Sequence, residues 1–128
     1  MIRILIADDH ELFREGLRVV LDLRPDFEVV AEAANVAETI AAHARHQPDV
    51  TLLDLQMPDG TGIDALKIIR KTQPDARVLM LTTYDGDEDI YRAMAAGASG
   101  YLLKSIPSKQ LEAAIRAVCE PYFDRPMK

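Results

Sequence analysis

Cysteine is all but missing from this chain. Cys119 stands alone, so no internal disulfide can form, and a reducing compartment is the expectation. Long hydrophobic runs are missing too, since none approaches the roughly 20 residues that cross a bilayer. The opening, Met1-Ile2-Arg3-Ile4-Leu5, runs straight into a strand-like stretch without the layout of a signal peptide, which predicts a cytoplasmic protein with no membrane association. Positive charge is in short supply, with 15 Lys and Arg against 21 Asp and Glu and a net charge of -6. Without a basic stripe, this chain by itself is not expected to bind DNA. No P-loop occurs, and Gly97-Ala98-Ser99-Gly100 precedes a strand-like run where a dinucleotide fingerprint would follow the first one, so nucleotide binding is not expected either. Asp59-Gly60-Thr61-Gly62 lacks the spacing and terminal glutamate of an EF-hand and reads as the loop into the third helix. His10, His43 and His46 are too scattered to suggest zinc and read as surface or helix-start residues. Internal repeats and low-complexity tracts are absent.

What is present is an alternation. Short apolar runs at Ile2 to Ala7, Phe27 to Ala31, Val50 to Leu53, Ala76 to Leu81 and Ser99 to Leu103 read as five strands. Five helical stripes alternate with them: Phe13, Leu17, Val20 and Leu21; Val36, Ile40 and Ala44; Leu66 and Ile69; Ile90, Met94 and Gly97; and Leu111, Ile115 and Val118. Pro25-Asp26, Gln47-Pro48-Asp49 and Gln73-Pro74-Asp75 sit where the first three helices stop, because the residue before proline resists the α region. Gly97 is placed to close the fourth in a left-handed cap. Strict alternation predicts an α/β doubly wound sheet, and 128 residues suffice for one domain that buries roughly two-thirds of its unfolded surface. Near-continuous apolarity makes the first and third strands central, covered on both faces. From about Glu120 two prolines appear and helical period is lost, which reads as a tail or the beginning of a linker.

The chemistry lies in five polar residues, Asp8, Asp9, Asp54, Thr82 and Lys104, each at or just past the C-terminal end of an apolar run. In a βα-repeating sheet those ends share one edge. Each residue has a plain alternative. An aspartate of the Asp8-Asp9 pair suits a helix cap, Asp54 a turn, Lys104 a solvated strand end, and Thr82 a strand by propensity alone. Tyr101 likewise suits a half-buried strand position. Gathered together, however, three carboxylates repel one another, and at least one stays protonated unless something neutralises them. Mg2+ bound through oxygen ligands is one remedy and Lys104 is another. A phosphoryl group on Asp54 would then lie within reach of the Thr82 hydroxyl, with Thr83 as the competing candidate. Asp85, Asp87, Glu88 and Asp89 crowd the first turn of the fourth helix, where its dipole favours them.

The segments Ile6-Ala7-Asp8-Asp9-His10, Leu53-Asp54-Leu55-Gln56-Met57-Pro58-Asp59-Gly60-Thr61-Gly62, Leu81-Thr82-Thr83-Tyr84 and Ala96-Gly97-Ala98-Ser99-Gly100-Tyr101-Leu102-Leu103-Lys104 resemble the receiver domain of two-component response regulators. The similarity covers residues 1–119, and the Asp-Asp-His and Gly-Tyr-Leu-Leu-Lys segments resemble the NarL/FixJ subfamily in particular. That leaves 120–128 as a tail or the start of a linker to a helix-turn-helix output domain outside this chain.

The resemblance implies a flavodoxin-like (βα)5 sandwich with strand order 2-1-3-4-5. It makes Asp54 the phosphoacceptor and gives Asp8, Asp9, Asp54 and the Gln56 main-chain carbonyl to Mg2+ or Mn2+. Lys104 matches the phosphate-pairing lysine, Thr82 the hydroxyl switch and Tyr101 the aromatic switch. Gln56 and Tyr84 become candidates for setting the phosphoryl lifetime. The implied partner is a sensor histidine kinase, and the implied activity is signalling with self-phosphorylation and autodephosphorylation chemistry, not turnover of an external substrate. Phosphorylation would remodel the helix 4, strand 5, helix 5 face and control homodimer formation or release of an output domain that alone touches DNA. One departure stands out: many receivers place proline after the lysine in a cis bond, whereas Ser105 follows Lys104 here and a cis bond would cost about 2.5–4 kcal/mol. Two rivals remain. A haloacid dehalogenase-type phosphatase also pairs an Asp nucleophile with Mg2+, but places it after strand 1 in an Asp-x-Asp arrangement, against Asp8-Asp9-His10 here. A receiver-like interaction module that is never phosphorylated would not need all five site residues.

Overall fold

Alternate residues of β1 (Ile2–Ala7) serve opposite faces: Ile4 and Ile6 pack into one buried cluster, Leu5 and Ala7 into another. A strand of period 2 behaves this way when both its faces are covered. The computed structural model, which describes residues 1–83 and 86–120, joins β1 in parallel to β2 (Phe27–Ala33), β3 (Val50–Asp54), β4 (Val78–Thr82) and β5 (Gly100–Leu103). The sheet order is β2-β1-β3-β4-β5. Helices α1 (Glu11–Asp22) and α5 (Ser108–Val118) cover one face through Leu17, Leu21, Leu111, Ile115 and Val118. Helices α2 (Val36–His46), α3 (Gly62–Thr72) and α4 (Asp87–Ala95) cover the other through Val36, Ile63, Leu66 and Ala93. The doubly wound, flavodoxin-like sandwich and its strand order are those expected. Tyr84, Asp85 and residues 121–128 lie outside the described residues.

Several local expectations shift. β2 extends to Ala33, while Asp54 and Thr82 close β3 and β4 as expected. A two-stranded hairpin, Gln56–Met57 against Gly60–Thr61, fills the approach to α3. Helix α2 turns Val36, Thr39 and His43 inward and leaves Ala44 exposed. A stripe read from apolar residues alone misses this, because Thr39 satisfies its hydroxyl by donating to the Asn35 carbonyl at 2.7 Å and can then be buried. His43 is therefore no surface residue, and burial lowers its pKa. In α4 the buried residue is Ala93, which shares a face with Ile90 and Gly97, while Met94 lies one step round the helix, 46% exposed.

The fourth helix closes as the sequence suggests. Gly97 takes φ +104 after α4, with its N–H on Met94 O (3.1 Å) and the Ala98 N–H on Ala93 O (3.0 Å), a Schellman closure. At the other end of the sheet, Asp59 reaches across from the hairpin turn and accepts from Val36 N (2.7 Å) and Ala37 N (3.1 Å), occupying two otherwise unpaired donors of α2. The Val36 bond in particular holds the Asp59 carboxyl below the usual carboxylate range.

At Gly62 the backbone of α3's first residue packs directly against the end of β3. Its N–H donates to Leu55 O at 2.7 Å, and a Cβ there would collide with the Asp54 carbonyl oxygen and stand 2.9 Å from Met80 Cε. Gly16, inside α1, has nothing near its missing Cβ. The two Gly→Ala substitutions are expected to have opposite signs: Gly62→Ala should cost about 1–3 kcal/mol through overpacking, and Gly16→Ala should gain about 0.5–1 kcal/mol through helix propensity. Urea unfolding midpoints at unchanged m-value measure both, and equal effects would contradict this account of Gly62.

Candidate functional site

Parallel register assembles the site. Ala7 pairs with Leu53, Asp54 with Leu81, and Thr82 with Leu103, so the strand ends fall in line and Asp8, Asp54 and Lys104 follow at one edge. The ladders continue past the strands: Asp8 N–H donates to Ala33 O (2.9 Å), Leu55 N–H to Leu81 O (3.2 Å) and Lys104 N–H to Thr82 O (2.7 Å). Alternation then sorts the side chains. Asp8, Asp54 and Lys104 continue the phase of Ile6, Leu52 and Leu102 toward α1 and α5, where Phe13 of α1 places its ring 4.7 Å from the Lys104 ammonium.

The carboxylates meet as expected. Lys104 Nζ lies 2.6 Å from Asp8 Oδ2 and 3.3 Å from Asp54 Oδ2, with both aspartates buried and Asp9 exposed. Neither of those two oxygens, Asp8 Oδ2 and Asp54 Oδ2, accepts a well-directed hydrogen bond. Neither Asp8 nor Asp9 caps α1, whose N-cap is His10; Asp8 Oδ1 instead accepts the His10 N–H at 2.8 Å. Burial raises the Asp54 pKa, the Asp8 charge adds to the rise, and Lys104 opposes both. Three carboxylates against one ammonium leave net negative charge, and the buried oxygens point into it. A small divalent cation with oxygen ligands fits this donor set.

One member of the cluster was not legible as such. His10 is at a helix start, as read, but its Nδ1 stands 3.0 Å from Asp8 Oδ1 and 3.2 Å from Lys104 Nζ, inside the group formed by Asp8, Asp9 and Asp54. Its adjacency to Asp9 in sequence was the available signal. Thr82 ends β4 fully buried and, by alternation with Val78 and Met80, faces the α2, α3, α4 side, while Thr83 is exposed. Tyr101 is half-buried and packs against that same cluster. Gln56 is exposed on the hairpin, with its N–H directed at Asp54 Oδ1 from 3.4 Å. Among the described residues no peptide bond is cis, so Lys104–Ser105 is trans.

Residues 4–116 match the model of the response regulator receiver domain family. The chain belongs to that family. This receiver domain is 42% identical over 118 residues to the DNA-binding transcriptional activator DevR/DosR of Mycobacterium tuberculosis, an overlap of 92% of this chain and 54% of that protein. It is 41% identical over 128 residues to the oxygen regulatory protein NreC of Staphylococcus carnosus, covering 98% of this chain and 59% of that one. Among solved structures, a LuxR-family two-component response regulator from Aurantimonas superposes with a TM-score of 0.89 at 39% identity, over 93% of this chain and 85% of that one. These similarities place the receiver domain in the NarL/FixJ group of response regulators. It spans little more than half the length of the two sequence relatives. No described helix is long and apolar enough to cross a membrane.

The raised pKa of Asp54 gives a test. Folding favours the neutral carboxyl, so this contribution is fully present below the ordinary value of 3.8 and is lost as pH rises through the raised one. Asp54→Asn is therefore expected to unfold at a higher temperature than the unsubstituted receiver domain in metal-free buffer at neutral pH. That gain should shrink as the buffer is acidified toward the ordinary carboxylate range. A variant no more stable at neutral pH would mean that Lys104 outweighs burial and Asp8.

Proposed function

We propose that this receiver domain, acting in the cytoplasm, takes a phosphoryl group from a sensor histidine kinase onto Asp54 and thereby controls an output domain that binds DNA. The observation that supports the reading most is the buried Asp54 carboxylate at the end of a central strand, beside Asp8 and within 3.3 Å of Lys104. A surface aspartate would offer no such alignment. Attack of an Asp54 carboxylate oxygen on the phosphorus of a phosphohistidine forms the new O–P bond as the N–P bond breaks, and the electron pair leaves with the imidazole nitrogen. The protein's part is positioning and charge neutralisation. Asp8, Asp9, Asp54 and the Gln56 main-chain carbonyl would hold Mg2+ or Mn2+, which would supply positive charge to the transferred group. Lys104 exchanges its carboxylate contact for the phosphoryl oxygens, and the Thr82 hydroxyl donates to another of them.

Signalling follows as a population shift. Engagement of Thr82 favours a conformation in which Tyr101, on the same side of the sheet, turns inward and remodels the α4, β5, α5 face. That face then controls self-association or the output domain. The same site accepts phosphoryl groups from small acyl phosphates and loses them by hydrolysis, with the lifetime set by Gln56 and Tyr84. Residues 1–119 form the receiver unit and 120–128 begin the connection to the output.

Protein incubated with Mg2+ and acetyl phosphate is expected to gain one phosphoryl group that hydroxylamine removes, and Asp54→Asn to gain none. Intact-mass measurement reads both; equal labelling of the two would remove Asp54 from its role, and labelling of neither would return the site to the reading of an unphosphorylated interaction module. Tyr101→Ala should label almost normally, whereas Lys104→Ala should lose the coupling between phosphoryl group and α4, β5, α5 face. Amide NMR shifts on that face with a phosphoryl mimic test the distinction, and two variants that both switch normally would refute it.

A further inference from the structure

His10 has no part in the phosphoryl chemistry above, yet its ring nitrogen is built into the cluster. Nδ1 stands 3.0 Å from Asp8 Oδ1, 3.4 Å from Asp9 Oδ1 and 3.9 Å from Asp54 Oδ2. One donor atom from each of these four residues lies within 4.8 Å of all the others. With metal–ligand bonds of about 2.0–2.2 Å, donors on adjacent vertices of one coordination shell sit roughly 3.0–3.5 Å apart and opposite donors roughly 4.2 Å apart. The three His10 distances, 3.0, 3.4 and 3.9 Å, fall within that span before any ion is considered.

A second observation points the same way. Asp8 Oδ2 and Asp54 Oδ2 are buried without a well-directed hydrogen bond, and the cation they share, the Lys104 ammonium, also stands 3.2 Å from His10 Nδ1. Two carboxylates and the imidazole nitrogen are thus already grouped around one positive charge. The His10 backbone is tied to Asp8 Oδ1 by its own N–H, and the ring is 61% exposed, open to an ion arriving from water.

We infer that His10 Nδ1 is a further protein ligand, which gives the site a mixed nitrogen and oxygen donor set and makes it bind Zn2+ more tightly than Mg2+. Imidazole suits Zn2+ and its neighbours in the transition series, whereas Mg2+ takes oxygen donors and keeps several waters. The three aspartates then hold either ion, Zn2+ with the imidazole and Mg2+ without it. The inference rests on the cation-site reading of Asp8, Asp9 and Asp54, but not on phosphorylation.

Calorimetric titration of the whole protein with Zn2+ and, separately, Mg2+ tests it, in a His46→Ala background that removes a second accessible imidazole. His10→Ala is expected to weaken Zn2+ binding by at least about tenfold and to leave Mg2+ affinity within about twofold. Zn2+, but not Mg2+, should shift the imidazole 15N resonance of His10 at Nδ1. Unchanged Zn2+ affinity in His10→Ala, or no shift at that nitrogen, overturns the assignment. Asp9→Asn separates the two readings: Zn2+ affinity indifferent to His10→Ala while Asp9→Asn weakens Mg2+ binding defeats only this inference, whereas Mg2+ binding indifferent to Asp9 defeats the cation site proposed above.

Discussion

Repulsion among carboxylates at the end of a buried sheet is the constraint on which this receiver domain is organised. Two like charges about 4 Å apart cost roughly 4 kcal/mol at an intermediate effective dielectric, a large share of the about 5–15 kcal/mol that holds a domain folded. Asp8 and Asp54 are both buried and both reach toward the one ammonium of Lys104. Lys104 arrives there because β5 pairs with β4 in the register that puts Thr82 against Leu103. Its stem passes the Phe13 ring, so the counter-charge is fixed by a strand on one side and by α1 on the other. An arrangement so far from charge balance is poised to gain from an added cation, which links the cost in stability to the chemistry of the site.

Strand alternation divides that site in two. Asp8, Asp54 and Lys104 belong to the α1 and α5 face, while Thr82 and Tyr101 belong to the face covered by α2, α3 and α4. Charge is gathered on one side of the sheet and the candidate switch residues on the other, with the β4 end between them. A signal from one to the other would have to cross the plane of the sheet, and in the function proposed above Thr82 would carry it. The loop after β3 constrains this crossing further. Gly62 lies so close to the Asp54 carbonyl that no side chain fits, and Asp59 of the same loop is bonded to the first turn of α2.

The sequence by itself determined the layers and the edge. Five apolar runs separated by helical stripes leave a doubly wound sheet as the natural solution, and near-continuous apolar runs in β1 and β3 make them central because strands covered on both faces can dispense with most polar residues. Asp8, Asp9, Asp54, Thr82 and Lys104 were legible as a group for the same reason: each follows a run, and parallel strands put their ends on one edge. Caps were legible where a single residue type meets a backbone need, as at Gly97. Only the tertiary structure decided which polar residues could be buried inside helices and which neighbours completed the site. Thr39 and His43 of α2 face the core because local hydrogen bonding and helical phase outrank hydropathy, and Ala93 displaces Met94 for the second of these reasons. His10 joins the carboxylates, and Phe13 meets Lys104, through distances that depend on how α1 leaves the sheet, which no spacing in the chain encodes. The face toward which each end-of-strand residue points was likewise settled by register and the pleat, since a shift of one residue would exchange Asp54 and Thr82 between the two sides.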